Sequence, residues 1–454
     1  MRTLLKPLSL ALFIAATLPT QSAYIRTSPP SDTIPPIGPS SHFCKAIGGK
    51  YDDGGNSLIQ TSDGGYAIAG CTSSFGAGQL DVYVVKLDAH GNLQWTKTIG
   101  GPYYNEEGLS LIQTSDGGYV IAGYTFSFGA GEADVYLVKL DANGNLQWTK
   151  TIGGKKEDVG LSLIQTSDGG YAIAGSTKSF GVGKADVYVV KLDAKGNLRW
   201  TRTVGGPGNE IGFSLIQTSD GGYVIAGTTA SFGAGEADVH VVKLDAHGNL
   251  QWTKTIGGPG NEIGFSLIQT SDGGYAITGT TTYFGAGEPD VYVVKLDAHG
   301  NLQWTRTIGG PGGEVGHSLI QSSDGGYAIA GATASSPAGE ADVYVIKLDA
   351  NGKPQWTKTI GAKNENLSRS SIIQTSDGSY VIAGTTRSFG LGGMDVYVVK
   401  LDKNGDACCA VSQTSQVGSG GTLSSPTSSI GSGGKLTSPT PTTSSGGTLS
   451  NQCP

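Results

Sequence analysis

Short apolar runs alternate with Gly-rich turns along most of this chain, and the pattern recurs every 52 or 53 residues. In the second copy, residues 110–114 and 119–125 predict two strands joined by a tight Ser-Asp-Gly-Gly turn. Residues 134–140 are apolar at both parities, which is typical of a strand buried on both faces. Residues 146–152 follow an Asn/Gly hairpin turn and predict a fourth strand. Each copy therefore predicts a four-stranded antiparallel sheet.

The copy number predicts the architecture. Seven serines open variants of one motif, SLIQTSDGGYAIAG, and stand at Ser57, Ser110, Ser162, Ser214, Ser266, Ser318 and Ser371. A period near ~50 residues with about four short strands is the signature of a propeller blade. We expect an all-β, seven-bladed β-propeller.

The fourth strands indicate how the ring closes. Six copies carry a tryptophan there: Trp95, Trp148, Trp200, Trp252, Trp304 and Trp356. The seventh copy has Ala407-Cys408-Cys409 instead, whereas residues 43–49 near the N-terminus align with residues 95–101. An N-terminal strand is therefore predicted to complete the last blade, which leaves no open edge around the ring.

The first 22 residues predict an export signal. Arg2 and Lys6 precede an apolar stretch at 8–18, and Thr20-Gln21-Ser22 offers the small residues of a cleavage site. A buried helix is the alternative, but it would have nothing to pack against outside a closed propeller. We therefore divide the chain into a signal peptide (1–22), a Pro-rich extended arm (23–41), the propeller (42–410) and a Gly/Ser/Thr/Pro-rich repeat tail (411–454).

If the protein is exported, its five cysteines are candidates for disulfide bonds, because disulfides persist in oxidising compartments. Cys44 lies on the predicted N-terminal strand, and Cys408 or Cys409 would meet it where the ring closes. Cys453 is a candidate partner for the other member of that pair. Cys71 is either a free thiol or an intermolecular link. Unpaired small core residues are the alternative for all five.

The tail repeats at a spacing of 13 residues, with Gly-Gly followed by Thr-Leu or Lys-Leu at 420–423, 433–436 and 446–449. A solvated or O-glycosylated stalk is one interpretation of this composition. Short strands that lie along a propeller surface, on the same or another molecule, are the other.

Charge and composition exclude several classes. The net charge is −7, the pI is about 5.4 and only 15% of residues are charged, which disfavours nucleic acid and anionic membranes as partners. No long apolar run follows the N-terminus, so a transmembrane segment is not predicted.

An acidic position stands four residues before most of the repeat serines. It holds Asp53, Glu106, Asp158, Glu210, Glu262 and Glu314, and the seventh copy has Leu367 there. We predict that this position lies on the same face as the Phe-Gly-Ala-Gly loops. There the carboxylates either form a ring at the channel mouth that holds calcium through oxygen ligands, or cap backbone amides of neighbouring blades. Calcium is the only cofactor that these residues suggest.

Other repeated side chains have structural explanations. The loop phenylalanines either wedge between blades or form an aromatic ring for ligands such as sugars; they are Phe75, Phe128, Phe180, Phe232, Phe284 and Phe389. The Ser-Asp-Gly aspartates are turn formers. Histidines show no metal-ligand spacing, and near-identical blades offer no asymmetric set of groups for catalysis. We predict no catalytic residues.

The motif DVYLVKLD at 134–141, with Gly-Asn-Leu-Gln-Trp at 144–148 and Gly-Gly-Tyr-Ala-Ile-Ala-Gly at 169–175, resembles the SBBP-type β-propeller repeat of secreted and cell-surface microbial proteins. The resemblance spans about residues 43–402 and implies an extracellular propeller, but it transfers no catalytic residue. We expect a secreted or cell-surface binding or structural module with a protein or glycan ligand on a propeller face. The alternatives are a self-associating subunit of an extracellular assembly, joined by the arm or tail, and an enzyme acting on polysaccharides.

Overall fold

The computed structural model describes residues 42–286, 289–335, 342–361, 369–387, 390 and 392–407, together with seven short strands between residues 410 and 451. These residues form a seven-bladed β-propeller, as predicted. The described part of the chain contains no helix with the length and hydrophobicity to cross a bilayer.

Strands are numbered in chain order, and each blade presents its first strand to the axis. First strands of neighbouring blades contact one another in a closed cycle. They are β2 (Asp53–Gln60), β6 (Glu106–Gln113), β10 (Asp158–Gln165), β14 (Glu210–Gln217), β18 (Glu262–Gln269), β22 (Glu314–Gln321) and β26 (Ser371–Gln374).

Each first strand pairs antiparallel with a second strand, and that one with a third. The second strands are β3 (Tyr66–Thr72), β7 (Tyr119–Thr125), β11 (Tyr171–Thr177), β15 (Tyr223–Thr229), β19 (Tyr275–Thr281), β23 (Tyr327–Thr333) and β27 (Tyr380–Thr386). The third strands are β4 (Asp81–Leu87), β8 (Asp134–Leu140), β12 (Asp186–Leu192), β16 (Asp238–Leu244), β20 (Asp290–Leu296), β24 (Asp342–Leu348) and β28 (Asp395–Leu401). Every residue of the third strands is buried, as their double-parity apolar pattern predicts.

The fourth strand of the last blade comes from the N-terminus, which confirms the predicted closure. This strand, β1 (Phe43–Gly48), pairs with β28, with Cys44 opposite Val399. The other fourth strands are β5 (Leu93–Gly100), β9 (Leu146–Gly153), β13 (Leu198–Gly205), β17 (Leu250–Gly257), β21 (Leu302–Gly309) and β25 (Pro354–Ile360). We number the blades 1 to 7 from β2, so that β1 belongs to blade 7.

Each blade also has a fifth strand, which the tail supplies. These strands are β29 (Ala410–Ser412), β30 (Gln416–Gly418), β31 (Thr422–Ser424), β32 (Ser429–Gly431), β33 (Lys435–Thr437), β34 (Thr442–Ser444) and β35 (Thr448–Asn451). They pair with the fourth strands of blades 6, 5, 4, 3, 2, 1 and 7, in that order. The prediction that the tail forms short strands on a propeller surface is confirmed, and that surface is its own ring.

The hydrophobic core lies between blades. Ala67 and Val84 of blade 1, for example, pack in one cluster with Leu111 and Ile121 of blade 2. A closed cycle of hydrogen bonds adds to this packing, since the repeat serine of each blade accepts a bond from a backbone amide of the next at 3.0–3.2 Å. The same serine thus links all seven blades.

The first strands begin earlier than predicted. A register shift between Gly108 and Ser110 marks a bulge in blade 2, and blades 1 and 3 to 6 carry the same bulge. Because the extra residue breaks the alternation, the sequence pattern indicated only the part from the serine onward. The acidic position is therefore the first residue of the strand in these six blades.

Candidate functional site

The ring has two distinct faces. The loop face carries the segments that follow the second and fourth strands, and these two sets of loops meet in parallel bridges such as Leu80 to Asn105. The opposite, turn face carries the tight Ser-Asp-Gly-Gly and Asp-Ala-x-Gly turns. The acidic position and the Phe-Gly-Ala-Gly loops share the loop face, as predicted.

The predicted carboxylate ring does not form at the channel mouth. Asp53, Glu106, Asp158, Glu210, Glu262 and Glu314 are all buried, at 0–1% exposure. Each accepts a bond of 2.6–2.8 Å from a glycine amide of the preceding blade: Gly49, Gly101, Gly154, Gly206, Gly258 and Gly310. The predicted orientation toward the mouth is wrong, because these side chains turn into the blade interfaces, where the amides bind them. The capping alternative describes them correctly.

Each of these carboxylates meets a second one that sequence reasoning did not single out. It is the aspartate that begins the third strand of the preceding blade. A Cβ built on Gly309 would overlap Oδ1 of Asp290 and lie 2.5 Å from Oε2 of Glu314. Asp290 is 1% exposed, and its Oδ1 has no hydrogen-bond partner. Burial chiefly, and then the Glu314 carboxylate, raise the pKa of Asp290 to about 6 against the lowering effect of the Ala286 amide.

The interface between blades 2 and 3 repeats this pairing. Burial, followed by the nearby Asp158 carboxylate, raises the pKa of Asp134 to about 6, although the Ala130 amide lowers it. Within the described ranges, no group of three or more His, Cys, Asp or Glu side chains is arranged to hold a metal ion. The structure therefore offers calcium pairs of carboxylates at the blade interfaces, and not a ring of carboxylates.

The turn aspartates do more than form turns. Each forms an ion pair of 2.8–3.0 Å with a buried third-strand lysine, as Asp63 does with Lys86. Partial burial alone would raise the pKa of Asp63, but Lys86, Thr61 and the Gly65 amide together lower it to about 2. Sequence reasoning missed these lysines, which stand in every copy of the third strand.

The loop phenylalanines wedge between blades. A Cβ on Gly258 of blade 4 would lie 2.5 Å from Cζ of Phe284 in blade 5, and Phe284 also stacks on Tyr292 with ring centroids 6.0 Å apart. Phe75, Phe128 and Phe180 contact third-strand tyrosines in the same way. Phe389 lies outside the described residues. Packing, the more conservative interpretation, is confirmed for the described members.

His240 is fully buried and His317 is half-buried. His240 replaces the third-strand tyrosine in blade 4, is 1% exposed, and has no hydrogen-bond partner at either ring nitrogen, so burial lowers its pKa to about 4. His317 lies on the first strand of blade 6, where burial and then Arg369 lower its pKa to about 4. The turn histidines His90, His247 and His299 are exposed.

Blades 7, 1 and 2 bring together an asymmetric polar cluster, from two first strands, one second strand and the segment before β26. Nδ2 of Asn56 donates to Oε1 of Glu107 at 2.9 Å, and the Tyr124 hydroxyl donates to Oε2 at 2.6 Å. Arg369 of blade 7 is close enough for Glu107 and Tyr124 to raise its pKa, although burial has the larger, lowering effect. These four half-buried residues, from blades 7, 1 and 2, are the polar cluster. Glu107 replaces glycine, valine or isoleucine of five other copies, and Asn56 replaces leucine, phenylalanine or histidine.

The first strands of blades 4 to 6 carry aromatic side chains instead. Phe213 and Phe265 have ring centroids 5.0 Å apart, and Phe265 and His317 are 5.9 Å apart. The first strands therefore combine a charged sector with an aromatic one. Column-by-column comparison of the copies would have revealed both.

The loop face carries every exposed large apolar side chain of the described residues. They are Tyr51, Tyr103, Tyr104, Phe126, Val182 and Tyr283, with exposures from 38% to 73%. Four of the six lie at blades 7, 1 and 2, and we call Tyr51, Tyr103, Tyr104 and Phe126 the aromatic patch. Tyr103-Tyr104 occupies the loop that in later blades reads Gly-Pro-Gly-Asn, so this loop is one residue longer. Phe126 contacts Tyr124 of the polar cluster, with centroids 5.6 Å apart.

The structure describes two of the five cysteines, Cys44 and Cys71. Cys44 is fully buried on β1, in a cluster that Ala407 packs against. Its predicted partners Cys408, Cys409 and Cys453 lie outside the described residues. Cys71 is a free thiol, and burial raises its pKa well above the usual value.

One curated protein and two solved structures are similar to this chain. The curated regulatory protein FlaEY of Caulobacter vibrioides (strain ATCC 19089 / CIP 103742 / CB 15) is 27% identical over 259 residues, which cover 51% of this chain and 26% of that protein. The chain thus spans about a quarter of that relative's length. A solved protein of unknown function from Dyadobacter fermentans DSM 18053 aligns with a TM-score of 0.45 and 12% identity, covering 78% of this chain and 97% of that one. Endo-arabinase from Bacteroides thetaiotaomicron VPI-5482 aligns with a TM-score of 0.30 and 9% identity, covering 52% and 91%.

A family model described as outer membrane protein assembly factor BamB matches residues 81–320 and 133–403. Together these matches cover more than half of the 454 residues. The chain therefore belongs to the β-propeller repeat family that this model describes.

Proposed function

We propose that this protein is a secreted or cell-surface, non-enzymatic binding module that takes a protein or glycan partner on its loop face. The observation that carries the proposal is that, within the described residues, the exposed aromatic side chains all lie on that face, mostly at blades 7, 1 and 2. Contiguous exposed apolar surface marks interaction sites, and tyrosine contributes large contact area at low entropic cost.

The polar cluster supports the same sector. Glu107 and Asn56 combine charged and hydrogen-bonding groups next to the aromatic patch, through the Tyr124 to Phe126 contact. A partner on the patch would reach these polar groups with its own polar atoms, which is how apolar contact area gains specificity. The N-terminal signal pattern and the resemblance to SBBP-type repeats favour an extracellular setting. We assign no catalytic role to this set.

The alternative function, a subunit of an extracellular assembly, now depends on the N-terminal arm as the segment that joins the subunits. Every tail strand pairs with the protein's own blades, so the tail offers that alternative little support. The Pro-rich arm at 23–41 lies outside the described residues, and assembly through it remains a second proposal.

The test is saturable binding of the labelled mature protein to intact cells of the species that produces it, with a double variant Tyr103→Ser/Tyr104→Ser. We expect the variant to bind at least about tenfold more weakly, since central tyrosines often contribute about 2 kcal/mol. The matched control is Tyr283→Ser, an equally exposed tyrosine on blade 5 at 56% against 58% for Tyr104. Equal binding by both variants and wild type would exclude the aromatic patch, and absence of any cell binding would reject the surface role.

A further inference from the structure

The tail runs around the ring in the direction opposite to the blades. After blade 7 the chain returns to blade 6 with β29, continues through blades 5, 4, 3, 2 and 1, and ends on blade 7 with β35. Each short strand pairs antiparallel with the outer edge of a fourth strand. Each blade thus contains one tail strand as its fifth, outermost strand.

The spacing of the tail matches the blades. Seven tail residues stand opposite fully buried isoleucines or a valine of the fourth strands. They are Ala410, Val417, Leu423, Ile430, Leu436, Thr443 and Leu449, opposite Ile360, Ile308, Ile256, Val204, Ile152, Ile99 and Ile47. The intervals between them alternate between seven and six residues. The 13-residue sequence repeat therefore corresponds to two blades.

The tail covers strand edges that would otherwise promote association between molecules. Fourth strands are the outermost strands of the blades, and without the tail all seven would present unpaired N–H and C=O groups to solvent. Such edges recruit strands of other molecules, which leads to oligomers or aggregates. The tail occupies these positions within the same chain.

The last tail strand also secures the closure of the ring. No turn connects β1 to the other described strands of blade 7; it pairs with β28 on one side and β35 on the other. Lys45 to Gly48 pair with Asn451 to Thr448. Opening the ring at β1 therefore requires two ladders to break.

We propose that the C-terminal tail is an intramolecular belt that caps the outer edge of every blade, blocks edge-to-edge self-association and holds β1 in the closed ring.

The first test removes the belt after folding. A protease site placed at residues 413–415 allows the folded protein to be cut, and the fragment with β30 to β35 is then separated in mild denaturant with reductant. We expect the ring, which keeps only β29, to self-associate through its six uncovered blade edges at micromolar concentration, as measured by light scattering after gel filtration. A synthetic peptide of residues 416–454 should restore the monomer. A ring that stays monomeric without its tail, or that associates equally with the peptide present, would overturn the capping role.

The second test addresses closure and does not depend on truncation. Leu449→Pro removes a backbone N–H in the middle of β35 and leaves Cys453 in place. We expect the unfolding rate to rise on the order of tenfold, because the pairing that is lost slows opening of the ring. Thr440→Pro is the control, since Thr440 stands between Pro439 and Pro441 in the sequence. An unchanged unfolding rate for Leu449→Pro would overturn the locking role of β35.

Discussion

Replacement of His240 by tyrosine should stabilise the propeller. In blades 3 and 5 the equivalent residues, Tyr188 and Tyr292, are 1% exposed and hydrogen-bond to Thr201 and Thr305 of the adjacent strand. His240 is equally buried, but neither of its ring nitrogens has a partner. An unsatisfied buried polar group costs about 1–3 kcal/mol. We therefore expect His240→Tyr to raise the free energy of unfolding by about 1–3 kcal/mol at pH 7.5.

The gain should increase as the pH falls. The folded state holds the pKa of His240 at about 4, below its ordinary value of 6.5. The unfolded chain then binds a proton between these values that the folded chain does not, so the wild type loses stability as the pH falls from 6.5 toward 4. Linkage gives a loss of about 2 kcal/mol between pH 7.5 and pH 5. Tyrosine does not titrate in this range, so His240→Tyr avoids this loss.

The assay is urea denaturation followed by tryptophan fluorescence at pH 7.5 and pH 5, on the wild type, His240→Tyr and the reverse change Tyr188→His. The reverse variant should lose stability and acquire the additional loss at pH 5. The reasoning is refuted if His240→Tyr is no more stable than the wild type at pH 7.5, or if its advantage is the same at both pH values.

Three further predictions concern the interfaces and the closure. Asp290→Asn should stabilise the protein at pH 7.5 and lose this advantage by pH 4.5. The raised pKa of Asp290 means that the folded wild type gains a proton, and stability, as the pH falls from about 6 toward 4. An advantage independent of pH would contradict the raised pKa. Cys44→Ser should lower the melting temperature under oxidising conditions and have little effect in reductant, if a disulfide to Cys408, Cys409 or Cys453 clamps β1; mass spectrometry that finds Cys44 alkylatable in the unfolded, unreduced protein would exclude the bond. The calcium hypothesis predicts a gain of about 2.7 kcal/mol at a hundredfold excess over the dissociation constant, and the same melting temperature in chelator and in millimolar calcium would reject it.

The sequence was sufficient for the scaffold because each blade repeats the same local signals. The period, the turns and the missing seventh tryptophan predicted seven blades and the N-terminal strand β1, and β1 does pair with β28. In the tail, the 13-residue period was visible, but its division into two strands was not. Only β31, β33 and β35 carry the Thr-Leu or Lys-Leu step, while Val417 stands in the strand before β31 and Ile430 in the strand between β31 and β33.

The orientation of the carboxylates was beyond sequence reasoning for a definite physical reason. The sequence pattern placed Glu106 in a loop before the strand, where a side chain can reach the channel mouth. The bulge between Gly108 and Ser110 instead lets the strand extend back to Glu106, and its side chain lies at the blade interface. The polar cluster was missed for a different reason, since Glu107 and Asn56 attract notice only as departures from the other copies.

Residues that recur in every blade and residues that occur in one blade have different roles, and this difference indicates where a partner should bind. Side chains that recur in every blade have structural roles: the serine links each blade to the next, and the lysine, paired with a turn aspartate, joins parts of its own blade. They present the same chemistry seven times and so favour no sector. Blades 7, 1 and 2 break the symmetry twice, with the polar cluster and with the aromatic patch on the loop face. Residues that leave the repeat without serving its packing, as Tyr103 does at 73% exposure, are the ones that a partner would contact.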